Sequence, residues 1–386
     1  MNTESIKNNK GKIGKISIIV IFLLMLFAPI IQDIFSIFPE ITVDKENRAL
    51  AKKPKLDINR LDYYPDSLNN YYNDHFAFRG FFLICNNIIN TLEKESPSDE
   101  VLIGKKGFLY LRRLECAVYE GNDDFNNPEK IQHVADILVK RNEKYKKKGI
   151  EYYVVIIPTK YEIYPEYLPI YIQRTDTTST DKLCYLMQSN PQVKLLYIKD
   201  FMLSKKDKGF LYRINDNHWN QFGAYFASDT ILNFIKKDFP QIPIYKQVDY
   251  QFNNDTTIYG NLSEIIISDY TKKLFRPEIK YSAELIDTLK RAVKGDIAGY
   301  TPPKYFSYPD NYEIVNVTND KSLPKTLIIR DSYTNALMPF LSNSFSKSTY
   351  IWDSWKFKDN MEIVDSEKPD IVINIILEPF IVNIGK

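Results

Sequence analysis

Apolar positions along this chain fall into long runs, short β-branched runs and helically spaced faces, and each kind predicts a different element. The long run extends from Ile16 to Ile31, behind Lys7, Lys10, Lys12 and Lys15. As a helix it would rise roughly 24 Å at ~1.5 Å per residue, a little less than a ~30 Å hydrocarbon core. It can continue across Gln32 and Asp33 into Ile34-Phe35-Ser36-Ile37-Phe38. The pattern predicts a transmembrane signal anchor over residues 16–38. Lysines before the span and few after it put a tail of residues 1–15 in the cytoplasm. A cleaved signal peptide is the competing reading, but no small-x-small site stands where cleavage would be expected. Either way, the bulk of the protein is expected outside the cytoplasmic membrane.

The short runs are Tyr152 to Ile157 (ended by Pro158), Val193 to Ile198, Thr326 to Ile329, Thr349 to Trp352 and Asp370 to Ile376. Each suits a buried strand. Two further apolar strands around a Gly-containing turn, within Val101 to Tyr110, open the domain. Helical faces lie between these runs. After Pro128, Ile131, Val134, Ala135 and Leu138 share one face, and Lys146 to Lys148 before Gly149 form a basic C-terminal end. From Trp219 to Phe239, Phe222, Phe226, Thr230 and Phe234 recur every fourth residue, and a further helix is expected from about Asn335 to Phe345. Strands alternating with helices predict an α/β domain with a mainly parallel sheet flanked by helices. Residues 39–100, broken by Pro39, Pro54 and Pro65, read as a stalk and a helical lead-in. The domain proper spans 101–386, with an insertion at about 251–324 whose Asn, Thr, Pro and Tyr content breaks the rhythm.

Composition removes several function classes. Of 386 residues, 51 are basic and 49 acidic, so the basic excess expected of a nucleic-acid binder is missing. Cys85, Cys116 and Cys184 have no C-x-x-C spacing, which implies neither a zinc site nor a disulfide framework and leaves buried free thiols. His75, His133 and His218 are scattered without metal-ligand spacing, so neither a metal nor an organic cofactor is expected. A glycine-rich phosphate loop is also missing, which argues against nucleotide binding on the sheet. The 28 tyrosines suit sugar faces or reflect a compositional bias.

The chemistry concentrates in two segments. Asn215-Asp216-Asn217-His218-Trp219-Asn220 puts a histidine two residues after an aspartate, and Arg330-Asp331-Ser332-Tyr333 lies 332 − 218 = 114 residues later. Ser332 follows an apolar strand and precedes a helix, which puts its hydroxyl at the carboxyl edge of the sheet, where α/β active sites form. Imidazole can take the serine proton while carboxylate orients the imidazole. Each segment also has a structural reading, with Asp216 or Asn217 capping one helix and Asp331 or Ser332 capping the other. Occurring together, they favour acyl transfer. Lys160 follows another strand at a carboxyl edge, as either a substrate contact or a salt-bridged lysine.

These segments resemble a known group. Asp216-x-His218-Trp219-Asn220 with Gly223, and Arg330-Asp331-Ser332-Tyr333 with Asn335, Pro339 and Phe340, are similar to the SGNH-hydrolase-like proteins of the alginate O-acetyltransferase group. That group includes the proteins called DHHW after their own motif. Three more segments match in order: Asp74-His75-Phe76-x-Phe78-Arg79, Gly104-Lys105-x-Gly107-Phe108-Leu109-Tyr110, and Pro158-Thr159-Lys160 with Tyr164-Pro165 and Leu168-Pro169. The closing Lys368-Pro369-Asp370-Ile371-Val372 fits too.

The resemblance implies an SGNH-hydrolase-like (flavodoxin-like) domain in which Ser332 is the acyl acceptor, His218 the base and Asp216 its orienting partner. It implies O-acetyl transfer to, or acetyl-ester cleavage from, a cell-surface polysaccharide through an acyl-serine. The acetyl supplier would be a membrane-bound O-acyltransferase, and no cofactor would be needed. Lys160, Trp219, Arg330, Tyr333 and Asn335 become candidates for substrate or oxyanion contacts, while His75 and Arg79 are expected to brace the lead-in segment. Arg330 stands where the wider SGNH superfamily has the Gly of Gly-Asp-Ser, and that superfamily's second-block Gly and third-block Asn have no evident counterpart. A reading from another class is a catalytically silent scaffold or polysaccharide-binding subunit of an export complex.

Overall fold

The computed structural model describes residues 16–24, 26–29, 31–32, 35, 37, 51–56, 61–80, 82, 85, 98–258, 260–266, 278–304 and 306–385. The chain divides into two compact units, Met1–Pro97 with Ile267–Leu274, and Ser98–Ile266 with Phe275–Lys386.

In the first unit, residues 16–24, 26–29 and 31–32 are helical, with Ile18, Phe22 and Leu24 exposed. No described helix is long and apolar enough to cross a membrane. The tail of 1–15, several positions of the expected span and much of the expected stalk lie outside the described residues. Helix α1, Tyr64–His75, has Pro65 in its first turn and buries none of its residues. His75 stacks on Tyr71 within that helix, with ring centroids 4.2 Å apart, and its Nδ1 lies 2.9 Å from the Tyr71 carbonyl oxygen.

The second unit opens with a small antiparallel pair, β1 (Val101–Ile103) and β2 (Leu109–Leu111). Next comes α2, Pro128–Lys146, where the Asn127 side chain caps the N–H groups of Glu129 and Lys130. Its buried face carries Ile131, Val134, Ala135 and Leu138 at the expected spacing. Strand β3 (Glu151–Ile157), helix α3 (Ser179–Met187), strand β4 (Lys194–Tyr197) and helix α4 (Gln221–Ile235) follow. A two-stranded antiparallel pair, β5 (Tyr250–Ile258) and β6 (Glu278–Leu285), stands apart from the main sheet. The chain continues through β7 (Val293–Lys294), β8 (Glu313–Val317), β9 (Lys325–Arg330), β10 (Lys347–Trp352), helix α5 (Met361–Glu367) and β11 (Ile371–Leu377).

Seven strands make the main sheet in the order β4-β3-β11-β9-β10-β8-β7. The first five pair in parallel, and β8 and β7 close one edge antiparallel. Six of the seven residues of β3 and all seven of β11 are buried. Both faces of these central strands are therefore covered, as their unbroken apolar runs require. A core cluster lies on each side, one including Tyr153, Val155, Ile328 and Ile373, the other Tyr152, Val154, Leu327 and Val372.

Two expectations change. The stretch of 251–324 is not wholly an insertion, because Val293–Lys294 and Glu313–Val317 are edge strands of the main sheet. A single helix over 335–345 does not form. Ser332–Ala336 is a 3₁₀ turn, Met338–Leu341 one α turn around Pro339, and Ser342–Ser344 another 3₁₀ turn. Pro339 has no N–H for the helical ladder, and serine and asparagine side chains compete for backbone groups.

Candidate active site

The histidine sits in a loop closed like a purse. Tyr212 and Trp219 pair across an isolated antiparallel bridge, with Arg213 N–H donating to the His218 carbonyl at 3.1 Å and Asn220 N–H to that of Leu211 at 2.9 Å. Asn220, rather than Asp216 or Asn217, caps α4, its side chain accepting the Gly223 N–H at 2.9 Å. Gly223 is required there, since a Cβ would run into the Leu211 carbonyl. Asp216 is thereby free for another task. Its Oδ1 accepts both the His218 backbone N–H, at 2.9 Å, and His218 Nδ1, at 2.7 Å. An Asx turn of this kind fixes the ring, where the sequence suggested only an extended i, i+2 alignment.

The serine turn is built alike. Asp331 is fully buried, and its Oδ1 accepts the Tyr333 N–H at 2.9 Å while its Oδ2 accepts the Leu377 N–H of β11 at 2.6 Å. Asp331 thus caps the 3₁₀ turn and pins it to the sheet. Ser332 turns its Oγ to His218 Nε2 at 2.8 Å. Asp216, His218 and Ser332 thus form one hydrogen-bonded series, 114 residues apart in sequence between its histidine and serine.

The remaining candidates lie nearby in different roles. Trp219 and Tyr333 are buried and fasten the two loops, through indole Nε1 to the Tyr333 carbonyl at 3.0 Å and Tyr333 Oη to the Asn217 carbonyl at 2.6 Å. Lys160 is fully buried and forms no part of a substrate surface. Its Nζ donates to the carbonyls of Leu109, Ile214 and Asp216 at 2.7, 2.8 and 3.0 Å, a floor beneath the histidine loop. Arg330 is fully buried too, with Nη2 on the Asn311 carbonyl at 2.8 Å and Nη1 on Asn335 Oδ1 at 2.9 Å. Asn335 is exposed.

A family model described as "SGNH hydrolase-like domain, acetyltransferase AlgX" matches residues 101–296. The chain belongs to this AlgX family. The match takes in the histidine loop and stops short of Ser332. Bacillus cereus PatB1 with a sulfonyl adduct is similar in structure over 74% of this chain and 100% of its own, at 17% identity and a TM-score of 0.52. The O-acetyltransferase domain of Pseudomonas putida AlgJ aligns over 74% of this chain and 93% of its own, at 14% identity and 0.48. A DHHW family protein from Eubacterium siraeum aligns over 66% of this chain and 89% of its own, at 16% identity and 0.46. No curated protein sequence matches. By family, the chain is homologous to acetyltransferases with an SGNH-like α/β fold.

Behind the histidine loop lies a polar layer that pattern reading missed. Asn261 N–H donates to Asp216 Oδ2 at 3.3 Å, and its side chain exchanges hydrogen bonds with Asn217, at 2.6 Å to Oδ1 and 3.3 Å from the backbone N–H. Gly260 lets this segment in, since a Cβ there would strike the Asn215 carbonyl. Asn217 Nδ2 reaches Glu115 Oε1 at 3.3 Å. The available signal was Gly-Asn at the end of a β-run, too common to single out. Burial alone would raise Asp216, but hydrogen bonds and charge from His218, with Arg213 Nη1 3.9 Å away, hold it well below the usual carboxylate range. Burial pushes Glu115 up to about 8 and Asp331 up to about 6. Among the described residues no cluster of His, Cys, Asp and Glu could hold a metal.

Proposed function

We propose that this protein is an O-acetyltransferase that carries the acetyl group on Ser332 and delivers it to a cell-surface polysaccharide. The observation that carries the reading is the series Ser332 Oγ–His218 Nε2–Asp216, with contacts of 2.8 and 2.7 Å. His218 takes the hydroxyl proton on Nε2 as Oγ attacks the acetyl carbonyl, and ionised Asp216 holds Nδ1–H and stabilises the imidazolium. Loss of the leaving alcohol, reprotonated by His218, gives the acetyl-serine. A sugar hydroxyl, deprotonated by the same imidazole, then resolves it. Water in place of the sugar would make an acetylesterase.

Aromatic side chains beside Arg330 support a glycan acceptor. Trp352 pairs in register with Arg330 at the carboxyl ends of β10 and β9. Tyr308 is 60% exposed and stacks on Trp352 at 6.1 Å and 15°, and Phe306 links Trp352 to Trp355. Such rings offer flat apolar faces with polar tips. The lysine-led apolar run at 16–38 supports a single-pass anchor with the catalytic unit on the extracytoplasmic side. A membrane-bound O-acyltransferase beside it would supply the acetyl group from the cytoplasm.

Turnover of p-nitrophenyl acetate by the full-length chain tests the reading. We expect Ser332→Ala and His218→Ala to lose turnover, and a sulfonyl fluoride to label wild type but not Ser332→Ala. Wild-type turnover in Ser332→Ala would remove the acyl-serine. An unreactive wild type, in both assays and with a polysaccharide acceptor, would favour the binding-subunit reading.

A further inference from the structure

An acyl-serine needs a donor for the oxyanion, and neither the second-block Gly nor the third-block Asn of the wider superfamily is evident in this sequence. The backbone N–H one residue past the serine is engaged, because that of Tyr333 donates to Asp331 Oδ1 at 2.9 Å. A further donor, beside the backbone N–H of Ser332 itself, has to come from elsewhere.

Ser332–Ala336 is a 3₁₀ turn. Side chains three residues apart eclipse in such a turn, so Ser332 and Asn335 project from the same side. Asn335 is exposed, as a group meeting substrate has to be. Its amide orientation follows from its neighbour. Arg330 Nη1 donates to Asn335 Oδ1 at 2.9 Å, and a guanidinium has donors only, so the amide turns its oxygen to Arg330 and its N–H₂ away. Arg330 is itself held firmly: Nη1 also reaches the Asp331 carbonyl at 3.3 Å, Nη2 binds the Asn311 carbonyl at 2.8 Å, and the guanidinium lies 4.3 Å from the Trp352 ring centroid.

We propose that Asn335 Nδ2 is a side-chain oxyanion donor of this site and that Arg330 is the positioning residue that sets its orientation. The proposal rests on the acyl-serine reading. As Ser332 Oγ bonds to the carbonyl carbon, its proton passes to His218 Nε2 and the carbonyl π pair moves onto oxygen. That alkoxide accepts a hydrogen bond from Asn335 Nδ2–H. It then collapses, expelling the alcohol, which recovers the proton from His218. An arginine in place of the superfamily's glycine thereby gains a reason: a side chain takes over part of the work of stabilising the oxyanion.

The experiment is steady-state kinetics with p-nitrophenyl acetate on full-length wild type, Asn335→Ala, Asn335→Asp and Ser332→Ala, with a melting curve for each. Aspartate keeps the shape and an oxygen for Arg330 but has no N–H₂. Removal of one oxyanion donor characteristically costs ~100- to 1,000-fold in kcat. The expected result is a loss of that order in both Asn335 variants, with KM, melting temperature and the position of the pH–rate profile little changed. Wild-type kcat in both Asn335 variants, with Ser332→Ala inactive, overturns the assignment and leaves the acyl-serine standing. Activity in Ser332→Ala overturns the reading beneath it.

Discussion

Trp219 and Tyr333 join the histidine loop to the serine turn. The indole N–H donates to the Tyr333 carbonyl at 3.0 Å, and the two rings meet edge to face with centroids 5.5 Å apart. Tyr333 answers with its hydroxyl on the Asn217 carbonyl at 2.6 Å. These two bonds bracket the 2.8 Å contact between His218 and Ser332.

Trp219→Phe keeps most of the ring and removes the donor. A buried carbonyl left without its partner costs ~1–3 kcal/mol, which urea unfolding should register. Loosening a proton-transfer contact also slows chemistry steeply. We expect turnover of p-nitrophenyl acetate to drop by ~10-fold or more. A variant with wild-type kcat would show that the bracket is structural alone.

Asp216→Asn should cost far more. An amide at this position can present N–H₂ to Nδ1 and stabilise the wrong tautomer, and it cannot balance the imidazolium. An asparagine in the equivalent role costs ~10⁴-fold elsewhere, and a kcat loss of ~10³- to 10⁴-fold is expected here. A loss under tenfold would mean that Asp216 merely shapes its Asx turn.

Glu115 gives stability a pH dependence. Burial raises it from 4.5 to about 8, so the folded state holds the proton more tightly than the unfolded chain. Its contribution is complete below about 4.5 and is lost as pH rises towards about 8. Across that window it lowers stability by up to ~1.4 kcal/mol per pH unit. Glu115→Gln cannot titrate, so its unfolding free energy should fall less over the window than that of wild type. Parallel profiles would show that Glu115 is ionised in the fold throughout.

The rings beside Arg330 should matter to a large acceptor and not to a small ester. An aromatic stacking contact worth ~0.5–1.5 kcal/mol corresponds to a ~2- to 12-fold rise in KM for the polysaccharide on Tyr308→Ala. Turnover of p-nitrophenyl acetate should stay at the wild-type rate. An unchanged KM for the glycan would move the acceptor groove elsewhere.

Much of the scaffold was legible because burial on both faces leaves an unmistakable record. Tyr152 to Ile157 and Asp370 to Ile376 read as strands since no polar side chain could be tolerated along most of their length. The helix from Asn335 failed because one proline, two serines and an asparagine break a ladder that apolar spacing alone suggests. Strand Glu313–Val317 stayed hidden at the sheet edge, where pairing is antiparallel and its burial is mixed. At the site, Asp216, His218 and Ser332 stood out by residue type. The roles of Lys160, Arg330 and Asn261 did not, because a hydrogen bond to a backbone carbonyl or a neighbouring amide leaves no trace in the identity of its partner.

The ammonium of Lys160 grips the carbonyls of residues 109, 214 and 216, atoms that every amino acid carries. Side chains at 109 and 214 can therefore drift with the packing around them while the grip persists. Position 160 has no such freedom, because no other side chain offers three protons from one point. The histidine loop is held by an anchor indifferent to the letters it holds.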